Sequence, residues 1–98
     1  MIKIEASKKN DTYRIEMQGH AGFNPGNDIV CAAASMLIQT LQCSILNGLN
    51  GGVLELAEFS SGKAKLLFHG GGDLFNSTLL GFEMLQKAYP DHVFLTQF

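Results

Sequence analysis

The sequence predicts an α+β fold: a two-layer α/β arrangement in which a mixed, largely antiparallel sheet carries two helices on one face, in the order ββαββαβ. Three observations predict it. Two pairs of alternating segments each flank a short polar turn. Two longer segments carry helical spacing, and each follows a glycine-rich stretch that ends in aspartate. No repeat, linker or low-complexity tract divides the 98 residues, so residues 1–98 are expected to form a single domain. Folding at this size buries only about 60–65% of the unfolded chain's surface, which leaves a modest core.

IKIEA at 2–6 places Ile2, Ile4 and Ala6 on one face. KKND at 8–11 is a polar turn, and TYRIEMQ at 12–18 alternates again through Tyr13, Ile15 and Met17. This is the pattern of an antiparallel hairpin. Lys3, Glu5, Arg14 and Glu16 fall on the other face, which is therefore solvated. Residues 19–27 hold three glycines, a proline and two asparagines, the composition of a loop.

Asp28 then suits an N-cap, since its carboxylate can accept hydrogen bonds from first-turn amides. A helix is expected from Ile29 to about Asn47, with GLNGG at 48–52 as its stop. VLELAEF at 53–59 and KAKLLFH at 63–69 read as a second hairpin joined across SSGK. After GGG at 70–72, Asp73 is expected to cap a second helix. Its apolar stripe runs through Leu74, Phe75, Leu79, Phe82 and Leu85, and it ends at Tyr89 and Pro90. HVFLTQF supplies a last strand.

Composition narrows the function. The net charge is −2 and no basic block is present, which argues against nucleic acid as a partner. The start of the chain lacks the basic, apolar and small-residue segments of a secretory signal, so a cytoplasmic protein with reduced thiols is expected. Residues 29–54 carry no charge, yet Gln39, Gln42, Asn47 and Asn50 interrupt the run. A helix buried on more than one side is expected there rather than a membrane span. One sheet cannot cover a helix that is apolar almost all round. A homodimer is therefore expected, with Leu37, Leu41 and Ile45 at its interface.

GHAGFNPGNDIVCAAAS at 19–35 holds the chemistry. With Asp28 as N-cap, Cys31 lies in the first helical turn. There, unpaired amides and the helix dipole favour a thiolate, and the same amides could hold an oxyanion. His20 precedes it by eleven positions, enough chain for the loop to fold back and let an imidazole take the thiol proton. Spacing alone leaves two readings open: a catalytic pair, or a loop histidine beside a packing cysteine.

GHA, a loop, and then GxDIVCAAAS resemble the signature of the bacterial ribosomal-processing cysteine proteases, the Prp family. The similarity runs over the full chain, through an NGL helix end and a late helix closing in AYP. The resemblance implies that His20 and Cys31 form a dyad, with Gly19 and Ala21 framing His20, Gly26 in the loop and Asp28 opening the helix. It also implies a cysteine endopeptidase without metal or organic cofactor. Its substrate would be the precursor of large-subunit ribosomal protein L-twenty-seven, cut to remove a short N-terminal extension after a Phe. A dimer is implied as well. The family's loop is often one residue longer, and Pro25 stiffens this one.

Further candidates are Ser35, one helical turn after Cys31; Asp28, as a group orienting His20; and Phe23, as a loop aromatic contacting substrate. Cys43 lies twelve residues beyond Cys31. At 1.5 Å rise per helical residue the two stand roughly 18 Å apart, too far for a disulfide, so Cys43 is expected in the core or an interface. HGGGD at 69–73 is a weaker anion-site candidate without the full phosphate-loop pattern, and His69 and His92 are expected to be structural or exposed. Two other functions remain open: a non-enzymatic peptide-binding partner of ribosomal proteins or assembly factors, and an anion-binding regulatory module at Gly70–Asp73.

Overall fold

A computed structural model describes residues 1–98. The elements are β1 (Ile2–Lys9), β2 (Thr12–Gln18), α1 (Ile29–Leu46), β3 (Val53–Ser60), β4 (Lys63–His69), α2 (Gly72–Ala88) and β5 (Val93–Gln97). The strands form one sheet in the order β3-β4-β2-β1-β5. All neighbours are antiparallel except β1 and β5, which run parallel. The expected α+β order ββαββαβ is the one observed.

The alternation read from the sequence decides which face is covered. Ile2, Ile4, Ala6, Ile15, Leu66, Phe68 and Val93 are buried beneath the helices. β1 runs further than expected, because Lys9 pairs with Thr12 and leaves only Asn10 and Asp11 to turn the chain. Asn10 takes the left-handed conformation, φ 57°, that such a tight turn demands.

α1 differs from expectation. It buries one stripe, Val30, Ala34, Ile38, Leu41 and Ile45, and is not enclosed on several sides. Leu41 and Ile45 thus belong to the chain's own core and cannot form an interface with another copy. Met36, at 62% exposed, and Leu46 face outward instead. The helix is long and apolar enough to cross a membrane by length and composition alone, but here its stripe packs on the sheet. Where α1 crosses α2, Gly81 makes room for a side chain: a Cβ there would stand 2.5 Å from Leu37 Cδ2.

Asp73 does not cap α2. Gly71, at φ 73°, is the capping residue, and Asp73 lies inside the first turn. Asn50 reaches across from the turn after α1. Its Oδ1 accepts from the Asp73 amide at 2.9 Å, and its Nδ2 donates to the Asp73 carboxylate at 3.3 Å. The amides of Gly70 and Gly71 donate to the carbonyls of Asp11 and Asn50. The amides of Gly70, Gly71 and Asp73 are thus occupied by the protein itself, which argues against an anion held by them.

β3 carries a β-bulge between Leu54 and Leu56. Leu54 lies opposite Phe68 of the core face, while Leu56 lies opposite Leu67 of the open face. The extra residue, Glu55, reverses the alternation. Ala57 and Phe59 consequently fall opposite Leu66 and Ala64, on the face that carries the helices.

Candidate active site

β2 ends at Gln18, and the chain turns through Gly19 (φ 92°) to His20. A side chain at Gly19 would stand 2.4 Å from the Met1 carbonyl oxygen, so only glycine passes this point. The Met1 ammonium donates to the His20 carbonyl at 2.7 Å. The Gly19 amide donates to the Gly62 carbonyl at 2.8 Å, which ties the end of β2 to the β3–β4 turn. The His20 imidazole rests on that turn: a Cβ on Gly62 would lie 2.9 Å from its Nε2. In this conformation the ring makes no hydrogen bond to Cys31.

Asp28 is the N-cap of α1, as its position in the sequence predicts. Oδ1 accepts from the amides of Val30 and Cys31, both at 3.0 Å. Oδ2 accepts from Phe23 at 2.9 Å and Asn24 at 3.2 Å, so one carboxylate holds both the helix and the loop before it. Both oxygens are spent on backbone amides, and Asp28 does not orient His20. Desolvation is the largest single influence on the carboxyl and pushes it up. The amides of Cys31, Asn24, Phe23 and Val30 together outweigh it and hold the group below the usual carboxylate value.

A lowered folded value means that the clamp is complete above the unfolded value, about pH 3.9, and is lost as pH falls through the lower folded one. The Phe23 and Asn24 amide shifts should therefore stay constant from neutral pH to about 4 and move together below it. In Asp28→Asn they should already be displaced at pH 7. Unmoved amides in that variant would show that another group holds the loop.

Cys31 is half-buried and free, and its Sγ accepts a hydrogen bond from the Ala21 amide at 3.2 Å. This revises the expected oxyanion donors. The Val30 and Cys31 amides go to Asp28 Oδ1 and the Ala32 amide to the Asp28 carbonyl, leaving Ala21 N–H as the amide beside the sulfur. Ser35 lies half-buried along the same helix face.

Two recesses meet at His20 and Cys31. One, about 340 Å³, has apolar walls from Ile2, Met17, Ile38 and Phe59, with Ser35 and Lys63 beside them. The other, about 310 Å³, runs under the loop past Gly22, Pro25, Gly26 and Asp28. Phe23 lines neither recess. Its ring turns away to meet Tyr89 and His92 edge-on, at centroid distances of 5.2 and 5.4 Å. Cys43 is exposed, not core, on the far part of α1, and both thiols are free. No group of His, Cys, Asp and Glu is arranged to hold a metal ion.

Three contributors escape sequence reasoning. Phe59 reaches the site although the alternation counted from Leu54 would turn it away, because a bulge stands between the two. Gly62 reads as an ordinary turn glycine. His92 donates from Nδ1 to the Ala21 carbonyl at 2.8 Å across 71 residues of chain, and no local pattern announces it.

Residues 1–94 match the protein family described as Cysteine protease Prp. The chain belongs to that family. It is a cysteine protease, and the resemblance read from GHA and DIVCAAAS holds. The fold is that of the Staphylococcus aureus ribosomal-processing protease Prp with a covalently linked product peptide, at TM-score 0.88, 18% identity and full coverage of both chains. The same Prp with a substrate peptide superposes at TM-score 0.79 and 16% identity, again over both full chains. SMU.848 from Streptococcus mutans matches at TM-score 0.75 and 27% identity, over 99% of this chain and 93% of its own. No curated protein matches.

Proposed function

We propose that this chain is a cytoplasmic endopeptidase that trims the N-terminal extension from the precursor of ribosomal protein L-twenty-seven, with Cys31 as nucleophile and His20 as general base and acid. The observation that carries the proposal is that both recesses share His20 and Cys31, so an extended peptide lying along them presents its scissile carbonyl at the thiol. The S. aureus relatives, which hold substrate and product peptides, support the substrate class.

In this reading the imidazole swings off Gly62 and takes the Sγ proton as sulfur attacks the carbonyl carbon. The Ala21 amide faces the charge that develops there. The C–N bond breaks as His20 returns the proton to the leaving amine. Water then cleaves the thioester, releasing the carboxylate and restoring the thiol. The apolar walls from Ile2, Met17, Ile38 and Phe59 suit an apolar residue before the cut. Closure of loop 21–27 over the peptide would make cutting depend on a fitting substrate.

Incubation of the host's precursor with wild type and His20→Ala, read by intact mass, tests the proposal. One N-terminal cut by wild type is expected, with a rate lower by roughly 10²–10⁴ in the variant, the span of general-base contributions. Binding without cutting by folded, reduced wild type would favour the non-enzymatic partner instead.

A second copy is proposed to cover the outer groove between α1 and α2. Met36, Leu37 and Met84 line it, and Met84 is 73% exposed. An apolar patch of this kind complements itself across a two-fold axis. Light scattering at micromolar concentration should give twice the chain mass for wild type and the single mass for Met84→Asp; a monomeric wild type would reject this part.

A further inference from the structure

We infer that His92 is a positioning residue for the nucleophile: it fixes the Ala21 peptide so that the Ala21 amide points at the Cys31 sulfur. The inference rests on the reading of Cys31 as nucleophile and deepens it.

The contacts form one continuous series. His92 Nδ1 donates to the Ala21 carbonyl at 2.8 Å, and the Ala21 amide donates to Cys31 Sγ at 3.2 Å. Ala21 is 2% exposed, whereas residues 22–27 that follow it are exposed. The loop is therefore buried at its first residue and exposed beyond, where the Asp28 carboxylate holds its Phe23 and Asn24 amides. A carbonyl acceptor assigns the proton to Nδ1, a donor that both the neutral tautomer and the imidazolium supply.

His92 is itself held in place. Its amide donates to the Tyr89 carbonyl at 3.0 Å, and its carbonyl accepts from the Ile2 amide at 2.9 Å, which anchors it to the start of the sheet. The Phe23 ring meets the imidazole edge-on, and Tyr89 closes the other side of Phe23. The turn between α2 and β5 thus grips the loop twice, by a hydrogen bond at Ala21 and by aromatic contact at Phe23.

The chemical consequence follows from the amide's target. A donor aimed at sulfur meets the negative charge that a nucleophilic sulfur carries. The helix amides cannot take this part, because Asp28 occupies them. A small rotation of the Ala21 peptide would therefore remove the one amide hydrogen bond that Cys31 Sγ receives.

Three variants in a Cys43→Ser background separate donor from packing. His92→Phe keeps the aromatic contact and lacks the donor. His92→Asn loses the ring but carries an amide N–H at the place of Nδ1. His92→Ala lacks both. Alkylation of Cys31 by iodoacetamide at pH 7 reads the sulfur without a substrate, with thermal melting in parallel.

His92→Phe and His92→Ala should alkylate about tenfold more slowly, and His92→Asn should stay within about threefold of the parent despite the lost ring. In precursor cleavage the same order should appear in kcat with little change in KM. A Phe variant that reacts at the parent rate, or an Asn variant as slow as Ala, would overturn the inference. Cleavage that persists in Cys31→Ala would overturn the nucleophile assignment, an outcome distinct from either.

Discussion

Cys31→Ala should leave the precursor uncut under conditions where wild type converts it fully, a loss of roughly 10³-fold or more. Removing the sulfur removes the atom that would bond to the scissile carbonyl, and neither His20 nor the Ala21 amide can substitute for that bond. Cys43→Ala should cut within about twofold of wild type, since an exposed side chain remote from the site has little to contribute. The pair of variants matters more than either alone. Both carry one thiol in place of two, so a general thiol effect would slow them equally. The cap explains why Cys31→Ala should also remain folded: the Asp28 hydrogen bonds go to the backbone amide of residue 31, and alanine keeps it. Intact mass on the precursor, with a melting curve for each variant, checks both points. Equal cutting by all three proteins would remove Cys31 from the mechanism.

Phe68→Ala should be the most damaging single truncation of the core. Phe68 is fully buried on β4, stacked on Tyr13 at 5.4 Å and tilted toward Phe75 at 6.2 Å. Those rings join the middle of the sheet to the first turns of α2. Replacing a buried Phe by Ala costs about 3–5 kcal/mol, of a total near 5–15 kcal/mol for a domain. At about 4–8 °C per kcal/mol for a chain near 100 residues, the melting temperature should fall by roughly 12–40 °C. Phe94→Ala is the comparison. Phe94 lies opposite Lys3 on the open face, is 53% exposed, and should cost less than about 1 kcal/mol. Thermal melting by circular dichroism separates the two; a Phe68→Ala midpoint within about 5 °C of wild type would show that the three rings are not the centre of the core.

What could be read from the sequence was local. The Ile2, Ile4, Ala6 and Tyr13, Ile15, Met17 alternations mark a hairpin because side chains on a strand repeat every two residues. Asp28 announces the helix, and the helix start places Cys31 in its first turn. Asp73 misleads for the same reason: a lone aspartate before an apolar stripe resembles a cap, but Gly71 takes that place and Asn50, 23 residues back, supplies the side-chain contact. α1 misleads because absence of charge records what is not there, not how much is covered. His92 and Gly62 lie beyond any local rule, since each acts on the loop across a gap that only the folded sheet closes.

β3 is the sharpest case. Val53, Leu54, Leu56, Ala57 and Phe59 put apolar residues in both phases of the strand, so neither phase is excluded by composition. The bulge at Glu55 chooses between them. Leu54 in the core and Phe59 at the recess beside Cys31 are both accommodated because one residue more than a regular ladder needs stands between them. Phe59 itself is held opposite Ala64 through the short turn between β3 and β4, so its side of the sheet does not depend on what precedes the bulge. The strand thus behaves as two segments phased independently, the first locked to the core by Leu54 and the second to the recess beside Cys31 by Phe59.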